Sequence, residues 1–467
     1  MLSEPAFPPI TVLHSRLRAG ALTSDELTRQ CLDRIDRQNE RLRAVLALDP
    51  TAPAQSAAAD QRFAEGRSRG LLDGIPVLVK DNIDTAGLAS TCGSRLLTGR
   101  PPIRDAGVVT RLRAAGAVLL GKTNLSEWAN FRSSTSTEGW SAVGGQTRNP
   151  HLPAHSPGGS SSGSAVAVAV GMAPLALGTD TDGSVVGPAG LCGVVGVKPE
   201  PAFLPLTGVC AVSGWQDSVG VLALRVADAL AALGALGDRL GTPMSVPAAA
   251  RLRLGSWQPP RTPTPVRETM ERVTAELAAA GVHTVPVELP FDPRLQLDAM
   301  LALTAGFRPV IEAYLRDRPG APGTLDELIA GNLADPVELA LFGQDLFEQA
   351  ALIGEDERHQ ARRLCERLRA AAAGGIRAAL ARYRIDAILA PSNEPAWRLD
   401  YELGDPLPLN SAGPSSLARL PNLSIPAGAP GELPIGVSMF GPPTLRRLLP
   451  MALSIEHLCA RMRQPSR

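Results

Sequence analysis

Between residues 70 and 200, short apolar runs bounded by Gly and Pro alternate with helical patterns. Residues 108–115 suit a helix, 117–120 a strand, 164–172 a buried helix and 175–177 a strand. This alternation restricts the chain to an α/β fold, because each apolar strand needs helices to cover it. The expected architecture is a large mixed, mostly parallel central sheet flanked by helices on both faces. In such sheets ligands bind near the carboxyl ends of strands.

Those strand ends hold the chain's scarcest cation. Three lysines stand against forty-three arginines, and each closes an apolar run, at 75–80, 117–122 and 194–198. Arginine cannot be deprotonated in a protein, whereas a desolvated lysine can become a neutral amine and accept a proton. An arginine-rich chain also leaves a few lysines at strand ends by chance, and Lys122 and Lys198 fit either reading. Lys80 stands apart because of the segments that follow it.

The rest of the chain frames this region. Residues 11–48 read as helical, with Thr23-Ser24-Asp25-Glu26 as a capping box, Leu22 and Leu27 as its staple, and Leu27, Cys31 and Ile35 as a stripe. Residues 52–69 are also helical, ending at Gly70. Residues 1–65 thus read as an N-terminal helical segment packing on a core of residues 66–467. Residues 225–237 and 266–280 are amphipathic helices, and 282–289, 386–390 and 433–440 are late strands. Residues 300–382 are helical and Arg-rich, a possible insertion or lid. The Pro-rich stretches 258–265 and 403–426 read as loops.

Composition excludes several functions. Forty-six basic and forty-six acidic residues cancel, so nothing steers the chain toward nucleic acid or an anionic membrane. Aromatics, at 4%, are too few for a base-stacking surface. The six cysteines (31, 92, 192, 210, 365, 459) show no paired spacing, which predicts reduced, buried thiols and no metal site. Met1-Leu2-Ser3-Glu4-Pro5 does not resemble a secretory leader, and the longest apolar run, near 165–170, is far short of a membrane span. The expectation is a soluble cytoplasmic protein without cofactor, with oligomeric state left open.

Two glycine–hydroxyl loops carry the chemistry. One is Ser156-Pro157-Gly158-Gly159-Ser160-Ser161-Ser162-Gly163-Ser164, and the other is Gly178-Thr179-Asp180-Thr181-Asp182-Gly183-Ser184. Such loops aim backbone N–H groups at one point and can stabilise an oxyanion. Three readings compete. Ser161 within Gly159–Gly163 satisfies the G-x-S-x-G nucleophile elbow, but that motif needs a strand directly before it. The first loop can cradle phosphate, but it lacks the G-K-[ST] ending. In the third reading a serine from each loop meets Lys80 in a histidine-free nucleophilic site. The six histidines (14, 151, 155, 283, 359, 457) favour this last reading, since none occupies a recognisable base position. His151 and His155, near the first loop, remain open to a substrate-side role.

Taken together, Lys80-Asp81-Asn82, Gly158 to Ser164, Gly178 to Ser184 and Cys192 to Pro199 resemble the amidase signature family of serine amidohydrolases. The likeness is close over residues 70–220 and looser at Gln216-Asp217-Ser218-Val219-Gly220, Ile388-Leu389-Ala390-Pro391 and around Leu433-Pro434-Ile435-Gly436. It implies the amidase signature fold and a Ser–cisSer–Lys triad. Ser184 matches the nucleophile, Ser160 the bridging serine after a cis peptide, and Lys80 the base. The backbone N–H groups of Thr181, Asp182, Gly183 and Ser184 match the oxyanion hole, and Ser161 a supporting hydroxyl.

Within the family, residues 121–132 and 144–150, Asp182, Phe342-Gly343-Gln344 and Ala396-Trp397 look similar to bacterial peptide amidases. Such enzymes remove C-terminal amides from peptides and release ammonia. By position, Asn130, Phe131 and Arg132 approach the substrate, or else form a packed helix end. The alternatives are a glutamine-dependent amidotransferase subunit, which requires a protein partner, a broad aliphatic or aryl amidase, and a non-catalytic binding protein. That last reading predicts a broken triad, and all three members are present. Val186 stands where many members carry Arg, Gly187 is unusually small, Glu200 replaces Thr, and the segment 203–213, which includes Cys210, departs from the family pattern.

Overall fold

The computed structural model describes residues 7–237, 240, 244–289, 294–406, 409, 411–428, 431 and 433–461. The stretch Met1 to Pro5, read as unlike a secretory leader, therefore lies outside the described residues. In chain order the strands are β1 Val45–Leu48, β2 Pro76–Lys80, β3 Val118–Thr123, β4 Trp140–Ser141, β5 Gly145–Gln146, β6 Leu175–Asp180 and β7 Val195–Lys198. They continue with β8 Ser218–Ala223, β9 Arg253–Ser256, β10 His283–Pro286, β11 Ala387–Pro391, β12 Asn422–Gly428 and β13 Ile435–Phe440. Eleven form one sheet in the order β1-β3-β2-β6-β8-β7-β12-β13-β11-β9-β10, and β4 with β5 makes a small ribbon.

The α/β sheet flanked by helices is as expected, but it is not mostly parallel. Among the described residues four of its pairings are parallel and six antiparallel. Two strands that the sequence reading did not separate out, β8 and β12, account for four of those six antiparallel pairings. β12 lies at the end of a Pro-rich stretch and contains Pro426, a residue that argues against a central strand. The ladder accommodates it at an irregularity between Pro426 and Gly428.

β2, β3, β6 and β8 are buried along their whole length. Such continuous burial needs helices on both faces. Helices Ser162–Ala169 and Val186–Cys192 pack together on one side, and Val226–Leu236, Thr264–Ala279 and Leu445–Arg461 form a second group. Ser162–Ala169 is buried from Ser162 to Val168, with the Ser164 hydroxyl satisfied by the Leu177 carbonyl at 2.9 Å.

The N-terminal segment contains Ile10–Arg18, Ser24–Leu42 and Ala52–Ala64. The capping box is present: Thr23 Oγ1 accepts from Glu26 N at 3.0 Å, and Glu26 Oε2 accepts from Thr23 N at 2.9 Å. The expected helix over 11–48 is broken twice and ends in a strand. Arg43 adopts a left-handed φ of 50°, and Asn39 Oδ1 accepts from Ala44 N and Val45 N at 2.9 and 2.8 Å. Together these turn β1 onto the edge of β3. Gly121, at φ +151°, lets β1 approach, since a Cβ there would collide with the Ala47 carbonyl.

Residues 300–382 are helical as expected, in Arg294–Arg316, Leu325–Ala334, Asp345–Leu352 and Glu355–Tyr383. Phe307, Ile311, Leu315 and Phe347 from this region join Cys92, Trp128, Phe131 and Cys210 in one buried cluster. Arg318 Nη1 reaches Asp84 Oδ1 at 2.7 Å. These contacts hold the helices against the end of the sheet that carries Lys80.

Candidate active site

β2 buries Lys80 among hydroxyl groups. Its Nζ is 2.8 Å from Ser160 Oγ, 3.1 Å from Ser161 Oγ and 2.9 Å from Thr179 Oγ1. Lys80, Ser160 and Ser161 are all buried. Burial pulls the Lys80 ammonium down to about 7, against the opposing charges of Asp180 and Asp217. The peptide bond between Gly159 and Ser160 is cis. Asn82 Nδ2 donates to Thr179 Oγ1 at 3.0 Å and to the Cys210 carbonyl at 3.0 Å, so the hydroxyl beside Lys80 is itself held.

The loop after β6 brings Ser184 alongside. Ser161 N donates to the Ser184 carbonyl at 3.1 Å. Ser184 is half-buried, and its hydroxyl makes no hydrogen bond among the described residues. Asp180 holds the loop from within: Oδ1 accepts from Gly183 N at 2.9 Å and Oδ2 from Val185 N at 2.7 Å. Asp217 holds it from the other side, accepting from Thr181 Oγ1 at 2.5 Å and from Ser213 N at 2.7 Å. Gln216 Nε2 donates to the Thr181 carbonyl at 2.9 Å. Burial raises the Asp217 carboxyl to about 6, opposed by these hydrogen bonds and by Lys198.

The structure therefore brings Lys80, Ser160 and Ser161 into contact and ties Ser184 to them through the backbone. Of the four N–H groups expected to face an oxyanion, that of Gly183 is engaged by Asp180, while those of Thr181 and Ser184 have no acceptor among the described residues. The elbow reading of Ser161 is corrected. No strand precedes it, it is buried, and its hydroxyl bonds the Thr179 carbonyl at 3.0 Å. Gly178 makes this possible, because a Cβ there would sit 2.6 Å from Ser161 Oγ. The phosphate cradle is corrected as well, since the first residues of helix Ser162–Ala169 are all buried.

Phe131 and Arg132 belong to the packing beneath the site. Phe131 packs tilted against Phe307, with ring centroids 4.6 Å apart. Arg132 is 2% exposed, pairs with Glu127 at 2.9 Å, donates to the Glu338 carbonyl at 2.7 Å and lies over Trp140. Both side chains are buried. Asn130 keeps intermediate exposure and ends a left-handed run, Trp128, Ala129 and Asn130, at φ 50, 56 and 70°. Left-handed non-glycine residues cost backbone energy and concentrate at functional sites.

The other singled-out residues separate by role. Lys122 is structural: it donates to Ile83 O and to Ser90 Oγ (2.9 Å) and stands 3.8 Å from Asp81. Glu200 caps helix Leu445–Arg461 by accepting from Leu445 N at 2.9 Å. Val186 is buried, while a Cβ at Gly187 would meet open space. No histidine bonds Lys80, Ser160, Ser161 or Ser184 among the described residues, and the half-buried His151 meets the Cys192 carbonyl at 3.1 Å. The six cysteines are reduced thiols, five of them buried and Cys365 half-buried. No cluster of three His, Cys, Asp or Glu side chains suited to a metal ion occurs among the described residues. No helix among them is long and apolar enough to cross a membrane. Thr179, Asp180, Gln216 and Asp217 carry supporting functions that sequence reasoning did not assign, although all four lie in segments it had marked.

The Amidase family model matches residues 26–445. The solved peptide amidase from Stenotrophomonas maltophilia superposes with a TM-score of 0.89 at 40% identity, covering 98% of each chain. A probable amidase of Arabidopsis thaliana is 32% identical over 448 residues, 90% of this chain and 83% of that one. A glutamyl-tRNA(Gln) amidotransferase component of Chloroflexus aurantiacus is 46% identical over 220 residues. That match spans 47% of this chain and 44% of the relative, less than half of either protein.

Proposed function

We propose a specific reaction for this chain, which belongs to the Amidase family and is a hydrolase acting on amides: removal of the C-terminal amide of peptides, with release of ammonia. Ser184 is the nucleophile, Ser160 the proton bridge and Lys80 the base. The observation that carries the reading is the buried Lys80 amine, 2.8 Å from Ser160 Oγ and with its ammonium form pulled down to about 7. An amine of that basicity is substantially neutral near pH 7 and accepts a proton.

Neutral Lys80 takes the Ser160 proton as Ser160 takes that of Ser184. The Ser184 oxygen, turned toward Ser160, bonds the amide carbon, and the carbonyl oxygen becomes an oxyanion. The N–H groups of Thr181, Asp182 and Ser184 stabilise that charge, and Gly183 joins them only by leaving Asp180. Collapse breaks the C–N bond, and the proton returns through Ser160 to the departing nitrogen, which leaves as ammonia. Water, deprotonated through the same relay, then cleaves the Ser184 ester and frees the carboxylic acid. Ser161 and Thr179 orient Lys80, and Asn130 stands at the substrate side.

The full-length likeness to a peptide amidase supports the substrate class. The stronger but partial identity to an amidotransferase component favours a second reading, in which ammonia from glutamine passes to a partner. A side-by-side assay of ammonia release from amidated dipeptides, aryl amides and glutamine, without other proteins, decides between them. Turnover of the dipeptide amides is expected. Release of ammonia from glutamine and not from the amidated dipeptides, or no turnover at all until a partner protein is supplied in a second assay, would replace this reading by the second.

A further inference from the structure

Lys198 is the one lysine without an assigned part. It ends β7 opposite Asn422 of β12. Gly196, two residues earlier, faces Ala189 and Val185, since a Cβ there would come within 2.6 and 2.8 Å of them. Strand alternation puts Lys198 on that same face, toward the Ser184 loop. It is fully buried, and its Nζ makes no hydrogen bond among the described residues. Lys80 and Lys122 are equally buried but are surrounded by hydroxyl and carbonyl acceptors. The charges that act on Lys198 are Asp180 at the end of β6, Asp182 in the loop and Asp217 before β8, which favour its ammonium form, and Arg419 before β12, which disfavours it.

Two of these carboxylates grip the Ser184 loop. Asp180 takes the N–H groups of Gly183 and Val185, and Asp217 takes the Thr181 hydroxyl. Lys80 also acts on both, but it works as a neutral amine, so both would stand as buried anions without a second cation close by, and isolated buried charge is costly. We infer that Lys198 is a positioning residue for the Ser184 reaction: its positive charge balances Asp180 and Asp217 and so keeps both ends of the loop clamped with its N–H groups facing the reacting carbonyl. This inference rests on the reading of Ser184 as nucleophile. It agrees with the electrostatics, in which burial raises the Asp217 carboxyl and Lys198 opposes that rise. A compact ammonium suits the place better than the broad guanidinium fork used almost everywhere else in the chain.

The test uses Lys198→Met and Asp217→Asn in the full chain, with two readouts at pH 5 to 9. One is turnover of an amidated dipeptide. The other is the rate at which a fluorophosphonate labels Ser184, followed by intact mass, which does not depend on the natural substrate. In Lys198→Met, Asp217 loses a charge that favours its ionised form and ionises later, so the acid limb of labelling, which Lys80 begins at about 7, steepens below pH 7 as Asp217 joins it. At pH 7 labelling and kcat fall only about twofold, and the loss grows to several-fold toward pH 5 while KM stays within about threefold, as for an interaction made in the transition state. Adding Lys198→Met to Asp217→Asn costs less than it does alone, because the acid it serves is gone. A merely structural lysine would lower labelling equally at every pH, and that result, or a fully additive double variant, overturns the inference. Should Lys198→Met not fold, Asp217→Asn decides: unchanged labelling overturns the clamp, and a tenfold or greater loss supports it. Wild-type protein labelled at Ser184 but inert to amides would refute the amide reading while the labelling limbs still judge Lys198. Absence of Ser184 labelling in the wild type overturns both.

Discussion

Ser161 donates its backbone N–H to the Ser184 carbonyl at 3.1 Å. That bond ties the loop carrying Ser160 to the loop carrying Ser184. The Ser161 hydroxyl meanwhile sits between Thr179 and Lys80, with Thr179 N donating to it at 3.2 Å. Ser161 thus braces three segments without offering its own oxygen to a substrate.

The two serines should therefore fail differently. Ser184→Ala is expected to lower kcat/KM by at least ~10³-fold, as loss of a nucleophile does. Ser161→Ala removes a buried hydrogen-bonding hydroxyl worth about 1–3 kcal/mol and should cost roughly 10- to 100-fold. Steady-state kinetics on an amidated dipeptide separates them. Greater loss in Ser161→Ala than in Ser184→Ala would exchange their roles.

On the proposed mechanism Lys80 sets the pH dependence. Its protonated form is disfavoured by burial, which places the transition at about 7. In the proposed reaction the neutral amine is the working form, so kcat/KM should be full on the alkaline side and fall about tenfold per pH unit well below that point. Lys80→Arg should be inactive at every pH, because the guanidinium keeps its proton. A pH–rate profile of both proteins checks this, and an active Lys80→Arg enzyme would remove Lys80 as the base.

Much of this site was legible because its parts are local. Lys80 closes an apolar run, and the two serine loops have an unusual composition that survives any folding topology. The capping box at Thr23 is equally local and formed as read. Pairing direction is not local: β8 and β12 take antiparallel neighbours from distant parts of the chain, and no period-two pattern encodes that choice. Burial of loop residues is not local either. Phe131 and Arg132 sit beside Asn130 in sequence, yet Phe307, Glu127 and Trp140 enclose them. Asp217 acquires its part only because the chain returns beside Thr181.

Thr179 offers a test of the Lys80 pocket with a defined sign. Its hydroxyl lies 2.9 Å from Lys80 Nζ and stabilises the ammonium form. Thr179→Val keeps the shape and removes that acceptor, so Lys80 should lose its proton at lower pH. The acid limb of kcat/KM is expected to shift down by about half to one unit, with kcat reduced roughly tenfold. A lower rate with an unmoved limb would mean that Thr179 supports the fold and not the base.

Arg132 should prove a stability residue. Its guanidinium pairs with Glu127, which burial pushes well above the ordinary carboxylate range and Arg132 pulls back. Removing the cation strands a carboxyl among Glu338, Trp140 and the Trp128 turn, and breaking a buried pair costs about 3–5 kcal/mol. Proton uptake by Glu127 limits that cost toward its lower end. Arg132→Met is therefore expected to lower Tm clearly while KM for an amidated dipeptide stays within about twofold, as a group remote from bound substrate allows. Thermal melts and steady-state kinetics on the same preparation check both halves. A large rise in KM at unchanged Tm would return Arg132 to the substrate site and contradict its burial at 2% exposure.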